Sequence, residues 1–224
     1  MDVEIRYLVE GSRGAKGLVI IIDVLRACTT IPILFNQGAK KIIPVSTLEE
    51  AAKYENSDYV LVGEGERGHK HDVFHHINSP SEVSNEDFTG KEIIFRSNNA
   101  TQAILYAKSA KDIILASFVN LNAIVQYVKK NNTSNVTIVA SGMLGGRGLE
   151  DDLCAEAIKN SLENKPFDFE DMKKRIEKCD CAILVRETLG KPKDVEMSLD
   201  LDSYPIVPRV VEEMGTKTIV PIKI

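Results

Sequence analysis

The chain has 224 residues, of which 43% are hydrophobic and 27% are charged, so its composition is that of a globular protein with a sizeable core. Its 28 basic and 33 acidic residues give a net charge of −5, which argues against a broad nucleic-acid-binding surface. The longest apolar run begins at Leu18 and ends before Asp23, well short of the ~18 residues that a membrane span needs. The length predicts one domain, or one domain with a smaller lobe.

The cysteines are sparse and none forms a Cys-x-x-Cys pair, which favours a reducing compartment. The first residues lack the basic and apolar regions of a signal peptide. We therefore expect a cytoplasmic protein that binds neither membrane nor nucleic acid.

Short runs rich in Val and Ile alternate with segments of helical periodicity, which is typical of an α/β fold whose largely parallel or mixed sheet has helices on both faces. The apolar runs predict strands at Val3–Leu8, Leu18–Ile22, Lys41–Val45, Tyr59–Val62, Lys91–Phe95, Asp112–Ala116, Val136–Ala140 and Lys217–Ile222. The periodic segments predict helices at Ala27–Asn36, Thr47–Tyr54, Ala100–Ser109, Leu121–Lys130, Leu149–Glu163 and Asp168–Glu187, with a short helix after Ser79–Pro80.

The composition changes after Asn164, where charged helical sequence replaces the alternating pattern. We place a sub-domain boundary there. Residues 1–164 would form the main α/β domain, and residues 165–224 a C-terminal helical segment with a final strand, packed on the same domain.

Polar residues follow most predicted strands, at the edge where open α/β sheets bind ligands. Carboxylates suited to a hard cation such as Mg2+ lie in these loops: Asp23, Glu64, Glu66, Glu150 and Asp151. Arginines that can hold a phosphate or sulfonate also lie there: Arg26, Arg67, Arg96 and Arg147. Asn99 and Thr101 open a predicted helix, whose free N–H groups favour an anion. Together these residues indicate phosphoryl transfer.

Each of these residues also has a structural interpretation. Asp23 can cap the helix that follows it, and Glu150 and Asp151 can stabilise a first helical turn. The glycine-rich stretch after Ser141 lacks the Lys-Ser/Thr of a P-loop and the Gly-x-Gly-x-x-Gly spacing. The Cys-x5-Arg and Gly-x-Ser-x-Gly signatures of other hydrolases are absent as well, and Asp23 does not begin an Asp-x-Asp motif, because Leu25 stands at the second position.

Two segments carry a resemblance to a known family. Asp23–Thr30 reads Asp-Val-Leu-Arg-Ala-Cys-Thr-Thr, and Leu149–Glu156 reads Leu-Glu-Asp-Asp-Leu-Cys-Ala-Glu. Both are similar to motifs of the Mg2+-dependent 2-phosphosulfolactate phosphatases of coenzyme M biosynthesis. Weaker similarities follow in the family's order at Gly65–Gly68, Asn78–Pro80, Ser97–Thr101, Asn120 and Ile206–Pro208.

The resemblance implies an α/β fold and the Mg2+-dependent hydrolysis of a phosphate monoester to a sulfonated 2-hydroxy acid. It implies that the catalytic and Mg2+-binding groups are carboxylates: Asp23, Glu66, Glu150 and Asp151. It implies that the substrate is bound by Arg26, Arg67, Asn78, Asn99, Thr101 and Asn120. The attacking group is either a carboxylate or a water molecule. The size and the family are compatible with a homodimer.

The chain departs from the family's motifs at four positions. His75 stands where the family has Asp, Asn98 where it has Thr, and Ala100 and Glu156 where it has Gly. The departures leave two alternatives, a non-catalytic anion-binding relative and a phosphatase for another small phosphorylated acid. His75 also belongs to a cluster with His69, His71 and His76, which we interpret as a polar loop rather than a Zn2+ site, because regular ligand spacing is missing.

Overall fold

The computed structural model describes residues 1–143 and 145–223, in which ten strands form one mixed, mostly parallel sheet with helices on both faces. The predicted fold class is confirmed. The strands are β1 (Asp2–Tyr7), β2 (Leu18–Ile22), β3 (Lys41–Val45), β4 (Val60–Gly63), β5 (His76–Ile77), β6 (Glu92–Arg96), β7 (Asp112–Ala116), β8 (Asn135–Ala140), β9 (Ile206–Glu213) and β10 (Thr216–Lys223). The α-helices are α1 (Ala27–Asn36), α2 (Leu48–Ala52), α3 (Pro80–Val83), α4 (Ala100–Tyr106), α5 (Leu121–Lys130), α6 (Leu149–Leu162), α7 (Phe169–Ile176), α8 (Asp180–Ile183) and α9 (Pro192–Ser198).

The sheet has two parallel halves joined by a hairpin. Strands β1, β8, β2 and β7 run parallel to one another in the first half, and β3, β6, β4 and β5 in the second. Strands β9 and β10 pair antiparallel between the halves, and β10 meets β3 through the pair Ile219–Ile42. The boundary after Asn164 stays a prediction; the last two strands of the segment that follows it lie in the centre of the sheet.

Helix α1 packs on one face of the sheet, against β7 and β9. Its buried Ile31 and Leu34 share one core cluster with Ile21 of β2 and Ile93 of β6. Helices α5 and α6 cover the opposite face of the first half, and α2 packs on the second half. The sequence predicts this arrangement because the strands are apolar on both faces. Within the described residues, no helix is long and apolar enough to span a membrane.

The prediction of a single helix over Asp168–Glu187 is wrong. The chain forms α7 and α8 there, and α8 continues into a π-helical turn at Leu184–Thr188. Cys179 separates α7 from α8, because its backbone is extended with a ψ of 160° and its Sγ accepts a hydrogen bond from the Ala182 N–H at 3.5 Å. Helical periodicity continues through this break, so the sequence pattern does not reveal it.

The prediction also missed β5, α9 and β9. Strand β9 contains Pro208, and proline argues against a central strand because it lacks an N–H donor. In the structure Pro208 lies opposite Pro221 of β10, so both missing donors fall at one rung of the hairpin.

Candidate active site

A cleft of about 310 Å³ opens where the loops after β2, β4, β6 and β8 meet the segment after α8. It is lined by Leu25, Arg26, Glu64, Glu66, Arg67, Gly68, Asn98, Asn99, Met143, Cys181, Leu184, Val185 and Leu189. The strands therefore deliver their polar loops to one place, as expected for the carboxyl ends of an open α/β sheet. The C-terminal segment adds an apolar wall that the sequence did not predict.

Asp23 is buried and joins two helices. Its Oδ1 accepts a hydrogen bond from the Ala27 N–H at the start of α1, and its Oδ2 accepts one from the Ala100 N–H at the start of α4, both at 3.2 Å. The next N–H in α4, that of Thr101, donates to Ser97 Oγ at 3.2 Å, and Thr101 Oγ1 donates to the Ser97 carbonyl at 2.8 Å. The carboxylate of Asp23 thus lies at the helix N-terminus where the sequence predicts an anion.

Asp151 and Glu150 begin α6 and are both buried. Asp151 accepts hydrogen bonds from the Val24 N–H at 2.8 Å and the Gly142 N–H at 2.9 Å, and so connects the loops after β2 and β8. Glu150 has weaker internal contacts, with the Cys179 Sγ at 3.6 Å from its Oε2.

These acids lie in a region that is short of positive charge. Burial raises the pKa of Asp23 to about 7, and the nearby carboxylates of Glu64 and Glu150 add to the rise. Burial also raises the pKa of Glu150, and burial together with the charges of Glu150 and Asp23 raises the pKa of Asp151 well above its usual range. A cation would relieve this repulsion.

Glu64 connects several loops. Its Oε1 accepts hydrogen bonds from the N–H and Nδ2 of Asn98 at 3.0 and 2.9 Å, and its Oε2 accepts from Asn78 Nδ2 at 3.1 Å and Arg26 Nη2 at 3.3 Å. A carboxylate has about four lone-pair positions, so these bonds fill its acceptor capacity. Glu64 therefore acts as a scaffold for the cleft.

Arg26 lines the cleft with a side chain that is 2% exposed. Its Nη1 donates to Asp194 Oδ2 at 3.1 Å, and its Nη2 donates to Glu64 Oε2 at 3.3 Å and to the Gly68 carbonyl at 2.8 Å. Two of the five N–H groups of a guanidinium thus have no partner among the described residues and can meet an anion. Arg67 is exposed on the cleft and adds a second cation.

The two other strand-end arginines have partners elsewhere. Arg96 donates to the Glu64 carbonyl and, at 3.2 Å, to Asn98 Oδ1, and so supports the loop after β4. Arg147 pairs with Asp152 at 2.8 Å on the surface.

Three predicted amide side chains have different surroundings. Asn99 lines the cleft and donates to the Gly142 carbonyl at 2.7 Å. Asn78 is buried next to Glu64, and its Oδ1 has no partner among residues 1–143 and 145–223. Asn120 does not line the cleft; its Nδ2 donates to two backbone carbonyls, one of them that of Ile206 at 2.9 Å, and so connects β7 with β9.

Asp194, which the sequence did not predict as a site residue, is fully buried on α9 and bonded to Arg26. Helix α9 was not predicted, although Pro192 at its first position is a common helix start. Nothing in the local sequence connects Asp194 with a residue 168 positions earlier.

A sequence model of the 2-phosphosulpholactate phosphatase family matches residues 5–213. The chain belongs to this family. A probable 2-phosphosulfolactate phosphatase of Thermoplasma volcanium is 33% identical over 199 residues, which cover 88% of this chain and 91% of that protein. Proteins with the same name from Caldanaerobacter subterraneus subsp. tengcongensis and Thermotoga petrophila are 33% and 34% identical over 211 and 204 residues, covering 86% of this chain and 87% and 88% of theirs.

Membership of the 2-phosphosulpholactate phosphatase family confirms the resemblance drawn from Asp23–Thr30 and Leu149–Glu156. The family and these relatives are named for hydrolysis of a phosphoric monoester, so the predicted enzyme class is confirmed at the level of the family. The assignment of individual catalytic, metal-binding and substrate-binding residues stays a prediction.

The departures from the family's motifs have simple structural consequences. His75 is exposed, and its Nδ1 accepts a hydrogen bond from the Leu61 N–H at 3.1 Å, which the carboxylate of an Asp could also accept. Ala100 uses its backbone N–H to contact Asp23, so it does not need to be Gly for that bond. Glu156 is exposed on α6. These three changes take no side chain away from the cleft.

The four histidines lie in the segment that connects β4 with β5 and at the start of β5. Across residues 1–143 and 145–223, no group of three or more His, Cys, Asp or Glu side chains is arranged to hold a metal ion. His71 packs edge-on against Phe74, and His76 packs edge-on against Phe88. The interpretation of the four rings as a polar loop stays a prediction.

The raised pKa of Asp23 predicts how metal-free protein responds to pH. Between its usual pKa near 3.8 and the folded value of about 7, the folded state binds more protons at Asp23 than the unfolded state does. The contribution of Asp23 to stability is thus complete below pH 3.8 and is lost as the pH rises through 7. In EDTA, we expect the free energy of unfolding of wild type, relative to Asp23→Asn, to fall by ~2 kcal/mol from pH 5.5 to 7. Urea denaturation measures this difference, and identical pH slopes would contradict it.

Proposed function

We propose that this protein is a Mg2+-dependent phosphatase that hydrolyses the phosphate monoester of a small anionic 2-hydroxy acid. The substrate would be 2-phosphosulfolactate, and the products 3-sulfolactate and phosphate. The observation that carries the proposal is the cleft: Arg26 and Arg67 line it, and the buried Asp23 lies on the same loop as Arg26. Membership of the 2-phosphosulpholactate phosphatase family supports this choice of substrate.

Arg26 would bind a phosphate oxygen. Its three internal hydrogen bonds hold the guanidinium, and its two remaining N–H groups can form charge-assisted bonds to an anion. Because the side chain is almost fully buried, solvent screens such bonds less than it does on an open surface. Arg67, exposed on the cleft, would pair with an acidic group of the substrate other than the phosphate.

The charge of the cleft supports a cation requirement. Arg26 and Arg67 are balanced by Glu64 and Glu66, so these lining residues carry no net charge. A phosphate ester carries about −1.5 to −2 at neutral pH, and 2-phosphosulfolactate adds a carboxylate and a sulfonate. A divalent cation would offset this charge together with that of the nearby acids.

The donor chemistry of the buried acids fits Mg2+. Asp23 and Asp151 each accept two hydrogen bonds, and Glu150 contacts the thiols of Cys179 and Cys181, which are weak donors, so all three keep free lone pairs, in contrast to Glu64. Mg2+ is commonly held by one or two carboxylates with water and substrate phosphate, so it does not require a preformed cluster of three side chains. When bound, Mg2+ would neutralise charge on the phosphate oxygens.

Glu66 would complete this set from the open side. It is exposed on the cleft, and its carboxylate has no hydrogen-bond partner among the described residues. The proposed cation ligands thus come from Asp23, Glu66, Glu150 and Asp151. Asn99 would orient the substrate from the adjoining loop, whereas Thr101 and Asn120 would act by holding the loops.

Phosphate release by purified protein tests the proposal directly. We expect release from 2-phospho-3-sulfolactate with Mg2+ and none with EDTA. Asp23→Asn, Glu66→Gln and Asp151→Asn should each lower kcat/KM by ~100-fold or more, as loss of a charge-stabilising group does. The matched control is Glu156→Gln, an exposed residue on α6, which should keep wild-type activity. No release by folded protein, or full activity of all three site variants, would contradict the proposal.

One observation favours a second candidate substrate. Leu184, Val185 and Leu189 form an apolar wall that offers no partner to a sulfonate. A phosphorylated 2-hydroxy acid with an apolar group in place of the sulfonate would suit this wall. We expect 2-phospholactate, which has a methyl group there, to reach a higher kcat/KM than 2-phospho-3-sulfolactate if this second candidate is correct. A higher kcat/KM for 2-phospho-3-sulfolactate would contradict the second candidate and favour the sulfonated substrate.

His75→Asp tests whether the departure at this position affects catalysis. An Asp carboxylate can accept the same bond from the Leu61 N–H, so we expect kcat/KM within ~2-fold of wild type and an unchanged melting temperature. A larger change in kcat/KM at equal stability would show that His75 contributes to the chemistry or to substrate choice.

A further inference from the structure

Asp194 is a fully buried carboxylate that accepts four hydrogen bonds. Its Oδ1 accepts from Ser79 Oγ at 2.8 Å, from the Ser81 N–H at 2.9 Å and from Ser81 Oγ at 2.6 Å. Its Oδ2 accepts from Arg26 Nη1 at 3.1 Å. The residue therefore connects α9 with the start of α3 and with the loop after β2.

The hydrogen bonds around Asp194 close into a ring. Arg26 donates to both Asp194 and Glu64. Ser79 donates to Asp194, and its neighbour Asn78 donates to Glu64 at 3.1 Å. The two carboxylates that hold Arg26 are thus themselves held by adjacent residues of one short segment.

Building on the proposed function, we propose that Asp194 is a positioning residue that directs the free N–H groups of Arg26 towards the phosphate of the substrate. Asp194 fixes Nη1 while Glu64 fixes Nη2, so the plane of the guanidinium is set from two sides. A bidentate arginine needs such fixed partners to present its donors in one direction.

The pair of Asp194 and Arg26 has a role in orientation rather than in stability. A buried ion pair adds little compared with a well-packed apolar pair, because both charges lose their hydration. Fixing the orientation of an anion-binding group is a role that an apolar pair cannot fill. Asp194 itself does not line the cleft, so it would act through Arg26.

Asp194→Asn is the first test. Asn keeps the shape but has one acceptor oxygen, and its NH2 group must face either Arg26 or the Ser81 N–H. We expect kcat/KM for 2-phospho-3-sulfolactate with Mg2+ to fall by ~10- to 100-fold, mainly through KM, and the Kd of inorganic phosphate by calorimetry to rise by a similar factor. A variant within 2-fold of wild type in both measurements would overturn the inference.

Ser81→Ala and Ser84→Ala form a matched pair that tests the same inference if Asp194→Asn fails to fold. Ser81 Oγ donates to Asp194, whereas Ser84 Oγ donates to the Ser81 carbonyl at 3.2 Å and does not contact Asp194. Loss of one hydrogen bond should lower kcat/KM by ~3- to 10-fold in Ser81→Ala, with wild-type values in Ser84→Ala. Equal effects of the two substitutions would overturn the inference.

The Arg26→Lys background separates a positioning role from general destabilisation. If Asp194 acts through Arg26, Asp194→Asn should add less than ~2-fold to the loss caused by Arg26→Lys. If the losses in kcat/KM caused by Asp194→Asn and Arg26→Lys multiply in the double variant, Asp194 acts by another route. Binding of phosphate that weakens in Asp194→Asn, together with no hydrolysis by wild type, would support the positioning role and contradict the proposed reaction. Wild type that neither hydrolyses the substrate nor binds phosphate would overturn both.

Discussion

The guanidinium of Arg26 lies buried between the carboxylates of Glu64 and Asp194. Moving a charged group out of water is costly unless opposite charges and hydrogen-bond acceptors meet it, and here they come from loops far apart in the sequence. The loop after β2 can therefore pack only when the loop after β4 and helix α9 are in place. The same constraint positions the walls of the cleft, because Glu64 also accepts hydrogen bonds from Asn78 and Asn98.

Carboxylates in this region fall into two groups. Glu64 and Asp194 each accept four hydrogen bonds, and both contact Arg26. Asp23, Glu150 and Asp151 accept fewer bonds and have raised pKa values, because burial and mutual repulsion oppose their ionisation. The first group shapes the cleft. A cation bound at the second group would relieve the repulsion between its carboxylates.

The C-terminal part of the chain contributes to the sheet and to the cleft at once. The hairpin of β9 and β10 joins the two parallel halves, and helix α1 packs against β9. Between this hairpin and α7, the chain supplies the apolar wall at Leu184–Leu189 and the carboxylate of Asp194. One segment therefore connects the stability of the fold with the shape of the proposed substrate site.

The α/β class, most of the strands and helices, and the family follow from the amino-acid sequence alone, because apolar periodicity and the motifs around Asp23 and Glu150 are local signals. The sequence also indicated which loops would meet, since carboxyl ends of strands share an edge. The folded structure is needed to see which acids have free lone pairs, that Asn120 connects strands, and that Asp194 contacts Arg26. It alone also placed a proline-containing hairpin in mid-sheet. These features depend on pairings between distant residues, which leave no periodic pattern in the chain.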